Sequence, residues 1–357
     1  MTRVIIGPIR PRLRPDLAGR PSRRILVRPG SAAISRIVVG LLVALPALVV
    51  QAPGELAFQA KPFRLYSAFW PNLHHLLWAE AWTRRPPTPV PPPSLSLPEP
   101  LAADLTASER AAWDAAVKYY DDELADLHPL FELGPVRKVM IAAGVTLPAT
   151  GLEADHRRTL AAAADVYRRH WWPAHDHANR AWVADPMSKL ASISPGVPDR
   201  LARLYGTPWF TAPVRVDLVR VGAREGAYTS VDPAPAHITV STGSPILTGW
   251  TAVEVLLHEA SHALAHPLME AFAAESRAQN KNTRDLWHVA LFFLTGEVVR
   301  QALAARQIDY QPYLYSTGLF DRAWPQFKAP IETHWKAYID GAVPRDDAIR
   351  QIVAVVK

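Results

Sequence analysis

The run Thr251 to His262 reads TAVEVLLHEASH. His258 and His262 stand four positions apart, so on an α-helix both imidazoles lie on one face, near enough to share a tetrahedral ion such as Zn2+. Glu259 follows the first of them. From there a carboxylate can take a proton from water beside the metal without displacing it, which is the placement of a general base. The helix is otherwise apolar, with Val253, Val255, Leu256, Leu257, Ala260 and Leu264 as its packing surface. Two His and a Glu in such a setting are costly to desolvate unless something pairs with them, and one metal ion would account for all three. HExxH is short and arises by chance in many chains. What sets this copy apart is its apolar helix, the β-prone run just before it and the character of the N-terminal segment.

These residues need elements to position them. Val214 to Val221 alternates, Ala227 to Val231 follows a Gly-containing turn, and His237 to Thr242 is a third β-prone run, so a small antiparallel sheet is expected directly before the motif. The motif helix is expected from about Thr251, with Thr251 and Glu254 as a plausible cap, and a strongly apolar helix follows over Asp285 to Leu303. Upstream, Thr106-x-x-Glu109 has the form of a capping box opening a helix through Leu127, and a second helical pattern runs from about Leu152 to Trp172. Phe63 to Trp82 reads as an aromatic helical stretch interrupted near Pro71, and residues 84–100 are a proline-dense connector. The fold class expected is mainly α with a small antiparallel β-sheet (α+β).

With sheet and motif in this order, the chain resembles the zincin metallopeptidases over about residues 210–300, and HExxH is the sharp part of the match. The resemblance implies peptide hydrolysis by water attack, an edge strand that aligns the substrate, and a third metal ligand from a later helix. Order along the chain places His237 to Thr242 as that edge strand. Ala265 and Leu268 stand where the HExxHxxGxxH form has Gly and His, so the implied form is gluzincin-like. In that form the third ligand is a Glu, with Glu297 first, because it shares a helix face with Ala290, Phe293 and Leu294. Glu270 and Glu275 are nearer in sequence but follow Pro267. His288 is a further candidate, as ligand, as hydrogen-bond donor to the transition state, or as a core histidine bonded to Asp285. Zincins commonly add a Tyr or His donor for the developing oxyanion. Tyr315 is the choice here and Tyr313 the reserve, both in the run YQPYLYSTGLF. His170, His175 and His177 form another cluster, read as a polar aromatic turn, with a second metal site as the alternative.

Composition bounds the rest. The 357 residues are 49% hydrophobic and 20% charged, as in a globular protein. The net charge of +6 arises in residues 1–52, which hold nine Arg, no Lys and one Asp; the remainder has a net charge of −2. No overall attraction for a nucleic-acid backbone is expected from such a body. Absence of Cys excludes disulfides and thiolate ligands. Arg23, Arg24, Arg28 and Arg36 precede the apolar run Ile37 to Val50, the pattern of a signal peptide or signal anchor. That run is short for a bilayer span, which needs about 20 residues. Export to a periplasmic or extracellular space is therefore expected, with membrane attachment only through an uncleaved N-terminal segment. The expected organisation is a leader at 1–52, an N-terminal segment with the connector at 53–105, a helical region at 106–205 and a zincin-like core at 206–357. A peptide or protein substrate is the expected partner. The alternatives are a non-catalytic metal-binding module or a helical envelope-associated binding protein.

Overall fold

Alternation along two short strands decides how the helices are distributed. In Val214–Val219 and His237–Ser241 the residues Val214, Val216, Leu218, Ile238 and Val240 turn to one face of the sheet, and Arg215, Asp217, His237 and Thr239 to the other. A computed structural model describes residues 55–85, 96, 98, 104–127, 130, 132–143, 146–222, 226–231 and 236–356. The expected leader and most of the proline-dense connector lie outside them. Within the connector, Ser96 is described: its Oγ is 2.6 Å from Ser241 Oγ and accepts from Gly222 N at 3.2 Å.

The described elements begin with β1 (Leu56–Ala60), β2 (Phe63–Tyr66), α1 (Phe69–Thr83), α2 (Ala107–Glu123), α3 (Gly134–Ala142), α4 (Ala154–His170), α5 (Trp172–Ile193) and α6 (Gly196–Tyr205). They continue through β3 (Val214–Val219), β4 (Ala227–Ser230), β5 (His237–Ser241), α7 (Gly249–Ser261), α8 (His266–Ala278) and α9 (Leu286–Ala304). Short turns and a C-terminal helix, Arg345–Val355, complete the set. The protein is mainly helical with a small sheet, a zincin-like α+β arrangement with the HExxH motif on a helix.

The sheet is larger than expected, and mixed. Its order is β1-β2-β3-β5-β4, with β2, β3 and β5 mutually parallel and β1 and β4 antiparallel at the two edges. The segment Phe63–Tyr66, expected to be helical, is a strand. The helix starts only at Phe69, so Pro71 falls in its first turn, where a missing N–H costs nothing. The connection from β2 to β3 includes six described helices, the kind of long crossover that a parallel pair requires. A second correction concerns the edge. β5 lies inside the sheet, between β3 and β4, and β4 takes the edge.

Two apolar clusters sit around this sheet. One joins the apolar faces of β2, β3 and β5 to α5, α6, α7, α9 and the C-terminal helix; the other joins α1, α2, α3 and α4. Asn72 of α1 stitches helix to strand, donating to Leu218 O at 2.8 Å and accepting from Arg220 N at 2.8 Å. In the first cluster Trp335, from a π-helical turn at Ile331–Trp335, donates its indole N–H to Ala290 O at 2.9 Å and so braces α9. The capping box of α2 forms as its spacing demands. Thr106 Oγ1 accepts from Glu109 N at 3.3 Å, and Glu109 Oε2 accepts from Thr106 N at 2.9 Å. Thr106→Ala should therefore lower stability by about 1 kcal/mol. An unchanged urea midpoint for the full chain would show that the cap contributes nothing.

Candidate metal centre

The centre is built on the seam between α7 and α9. On α7 the residues Glu254, His258 and His262 recur every fourth position; on α9 so do His288, Phe292 and Gly296. A four-residue interval keeps side chains on one helix face, so the two stripes meet along the seam. His262 is the residue just past the end of α7, still in right-handed helical conformation, with its N–H donating to Glu259 O at 3.3 Å.

His258, His262 and His288 each offer a ring nitrogen, and these lie within 4.8 Å of one another. The ring centroids are 4.9 Å apart for His258 and His262, 5.5 Å for His258 and His288, and 5.1 Å for His262 and His288. Phe292 lies flat against His258, with centroids 3.5 Å apart and planes 18° apart. Trp287 and Trp324 pack beside His262 and His288.

A metal fits this donor set. His258 Nδ1 and His288 Nε2 are buried with no hydrogen-bond partner among the described residues, a costly state that an ion in the cluster would help to justify. Burial pushes the His262 imidazole down to about 4, and burial with neighbouring histidines holds His258 and His288 well below the usual range. All three rings are thus neutral near pH 7, the form that binds metal. Three imidazoles with one open position make a zinc donor set.

The carboxylate of the motif lies beside the histidine cluster. Glu259 is buried, and its Oε2 lies 4.0 Å from His262 Nε2. Thr229 of β4 sends its hydroxyl to the same residue, at 2.7 Å from Glu259 Oε2 and 2.9 Å from Glu259 O. Alternation along β4 places Thr229 toward α7 and Tyr228 toward α1, where its phenol meets His75 Nε2 at 2.7 Å. The edge strand therefore touches the carboxylate directly.

Other expected site residues lie elsewhere. Glu297 is not in the cluster. Its Oε1 accepts from Arg300 Nη2 at 2.7 Å and Gln301 Nε2 at 2.6 Å, its Oε2 accepts from Arg300 Nε at 2.7 Å, and Lys336 Nζ is 3.8 Å away. Burial raises its carboxyl, but these partners outweigh it and bring the group below its ordinary value. An apolar helix face had called for a partner to this carboxylate, and the partner is a pair of neighbours one turn on. The third imidazole comes instead from His288, nine residues earlier and on the other side of α9, so the site is not specifically gluzincin-like. His288 has only its backbone N–H on Asp285, bonded to that residue's carbonyl at 3.0 Å. Tyr315, expected as oxyanion donor, gives its phenol to Glu332 Oε1 at 2.8 Å. Tyr313 is buried and stacks on Phe292. Glu270 is exposed on α8, and Glu275 accepts from Gln279 at 2.7 Å.

The chain matches no protein-family model, no curated protein and no solved structure.

The site therefore stands on its own geometry. The sequence pattern assigned no site role to Thr229 or Phe292, and marked Glu254 only as a cap partner. A signal for the second was present, since the interval 288–292–296 mirrors 254–258–262 on the facing helix. The cluster at 170–177 spans the junction of α4 and α5, with a turn at Trp171 alone and His175 and His177 within α5. His170 Nε2 is 3.2 Å from Glu109 Oε1, and His175 Nδ1 is 3.0 Å from Tyr167 Oη, so the two imidazoles serve separate partners.

Proposed function

We propose that this chain is a zinc-dependent peptidase of the HExxH type, with His258, His262 and His288 as metal ligands and Glu259 as general base. The observation that carries the reading is the convergence of three imidazoles, His258 and His288 buried and His262 half-buried, beside a carboxylate bonded to an edge strand. A bound zinc would polarise the substrate carbonyl and lower the pKa of water. Glu259 takes the proton from the attacking water and passes it to the leaving amine, so no covalent enzyme intermediate is needed. Thr229 orients that carboxylate by donating to Oε2.

Peptide amides are the substrate class favoured by the strand. β4 pairs with β5 on one side only among the described residues, so its outer edge offers backbone groups to an extended chain. A peptide paired there would run past Thr229 and hence past Glu259. Among the described residues the cluster gathers three imidazoles, and a three-histidine set with a fourth position left to water or substrate is the arrangement of a catalytic rather than a closed structural site. The Arg-rich segment and apolar run at 37–50 add the proposal that the protein acts after export, in a periplasmic or extracellular space.

The full chain, purified from zinc-supplemented medium, should contain stoichiometric zinc and cleave members of a quenched-fluorescence peptide library. Chelation should abolish cleavage, and added zinc should restore it. Folded protein that takes up no zinc on reconstitution would sink the reading.

A further inference from the structure

The seam that gathers the ligands continues one turn past them, and there it holds a buried carboxylate that the hydrolytic chemistry does not use. Glu254 lies one turn before His258 on the same face of α7 and is 1% exposed. It is not the cap partner of Thr251 that the sequence suggested; α7 begins earlier, at Gly249, with no side-chain cap. Opposite Glu254 stands Gly296. A Cβ there would come within 2.8 Å of Glu254 Oε1 and 2.9 Å of Pro312 Cβ, so only glycine lets the two helices and the following loop approach this closely.

A buried carboxylate needs partners, and these come from that loop. Tyr310 Oη donates to Glu254 Oε2 at 2.5 Å, and Tyr313 N lies 3.1 Å from both carboxylate oxygens. Loop 310–313 is thereby fastened across α7 and α9. The fastening continues to the ligands through stacked rings. Tyr313 lies 5.8 Å from Phe292 with planes 13° apart, Phe292 stacks on His258 at 3.5 Å, and Phe292 is 4.9 Å from His288.

We propose that Glu254 is a positioning residue of the metal centre: by fastening loop 310–313 over the seam it holds Phe292 against His258 and fixes the register of the two helices that supply the ligands. The proposal rests on the metal-centre reading above. Groups that orient metal ligands from outside the coordination sphere typically contribute 10–100-fold in affinity. A purely structural carboxylate would affect folding stability and leave zinc affinity alone.

The test uses the full chain. Zinc affinity is measured by competition with a chelating dye, and the His258 imidazole protons are followed by NMR in metal-free protein, where the stacked Phe292 ring shields them. Glu254→Ala should weaken zinc binding by about 10–100-fold and move the His258 resonances toward unshielded values. Glu254→Gln, which can still accept from Tyr310 and Tyr313, should stay near the unsubstituted protein in both. Leu303→Ala, a core truncation at the far end of α9, should lower stability without either effect. If Glu254→Ala does not fold, Tyr310→Phe carries the test by removing one donor, with a smaller loss of zinc affinity expected. Unchanged zinc affinity and unshifted His258 in the folded variant overturn the proposal. A starting protein that binds no zinc overturns the metal-centre reading itself, and the His258 resonances then report separately whether the fastening exists.

Discussion

His288→Ala should strip zinc from the folded chain, whereas Glu297→Gln should leave zinc content unchanged. The two residues lie on one helix, and either type could serve as a third ligand, so the pair of variants decides which face of α9 looks at the metal. The case for His288 is positional: its ring is 5.1 Å from that of His262 and 5.5 Å from that of His258. Glu297 has its oxygens committed to Arg300 and Gln301. Losing one of three ligands should cost more than the 10–100-fold typical of an outer partner. Removing the Glu297 charge breaks an ion pair with Arg300 that is 37% exposed on the Arg300 side and 7% on the Glu297 side, so the loss should fall on stability and not on zinc. Equilibrium dialysis against zinc, with circular dichroism to confirm folding, separates the outcomes. Zinc retained by His288→Ala and lost by Glu297→Gln would restore the carboxylate as ligand.

The contrast between these two residues also shows what the sequence could carry. HExxH was legible because its ligands and base lie within one helical turn, and helix geometry alone sets their relation. The capping box at Thr106 and Glu109 was legible for the same reason. The third ligand was not, because it depends on how two helices pack, and α9 is apolar almost all round, so hydrophobic periodicity does not say which face meets α7. The argument that a carboxylate on an apolar face requires a partner was sound for Glu297, but the partner was Arg300, three residues on. The same argument applied with more force to Glu254, which local spacing had disguised as a cap residue. Strand order was hidden too. Five residues of β5 have the β-branched, alternating look of any short strand, and nothing in them says that β2, some 170 residues earlier, pairs with the same sheet.

Glu259→Gln should lower peptide hydrolysis by about 10²–10⁴-fold, the usual contribution of a general base, while zinc content and stability stay near those of the unsubstituted protein. The substitution is nearly isosteric, and the amide oxygen can still accept from Thr229 Oγ1, so the geometry of β4 against α7 is preserved. What is lost is the ability to take a proton. Retained zinc separates this variant from His288→Ala: the first keeps the metal and loses the chemistry, and the second loses both. The comparison with Thr229→Val sharpens it. That variant removes only the hydroxyl that orients Glu259, so it should fall between the unsubstituted protein and Glu259→Gln if orientation matters to proton transfer. A Glu259→Gln variant that hydrolyses peptides at the original rate would assign the base elsewhere. Zinc-loaded protein with no hydrolytic activity would instead favour the non-catalytic metal module, since the same three imidazoles can hold an ion with no reaction to follow.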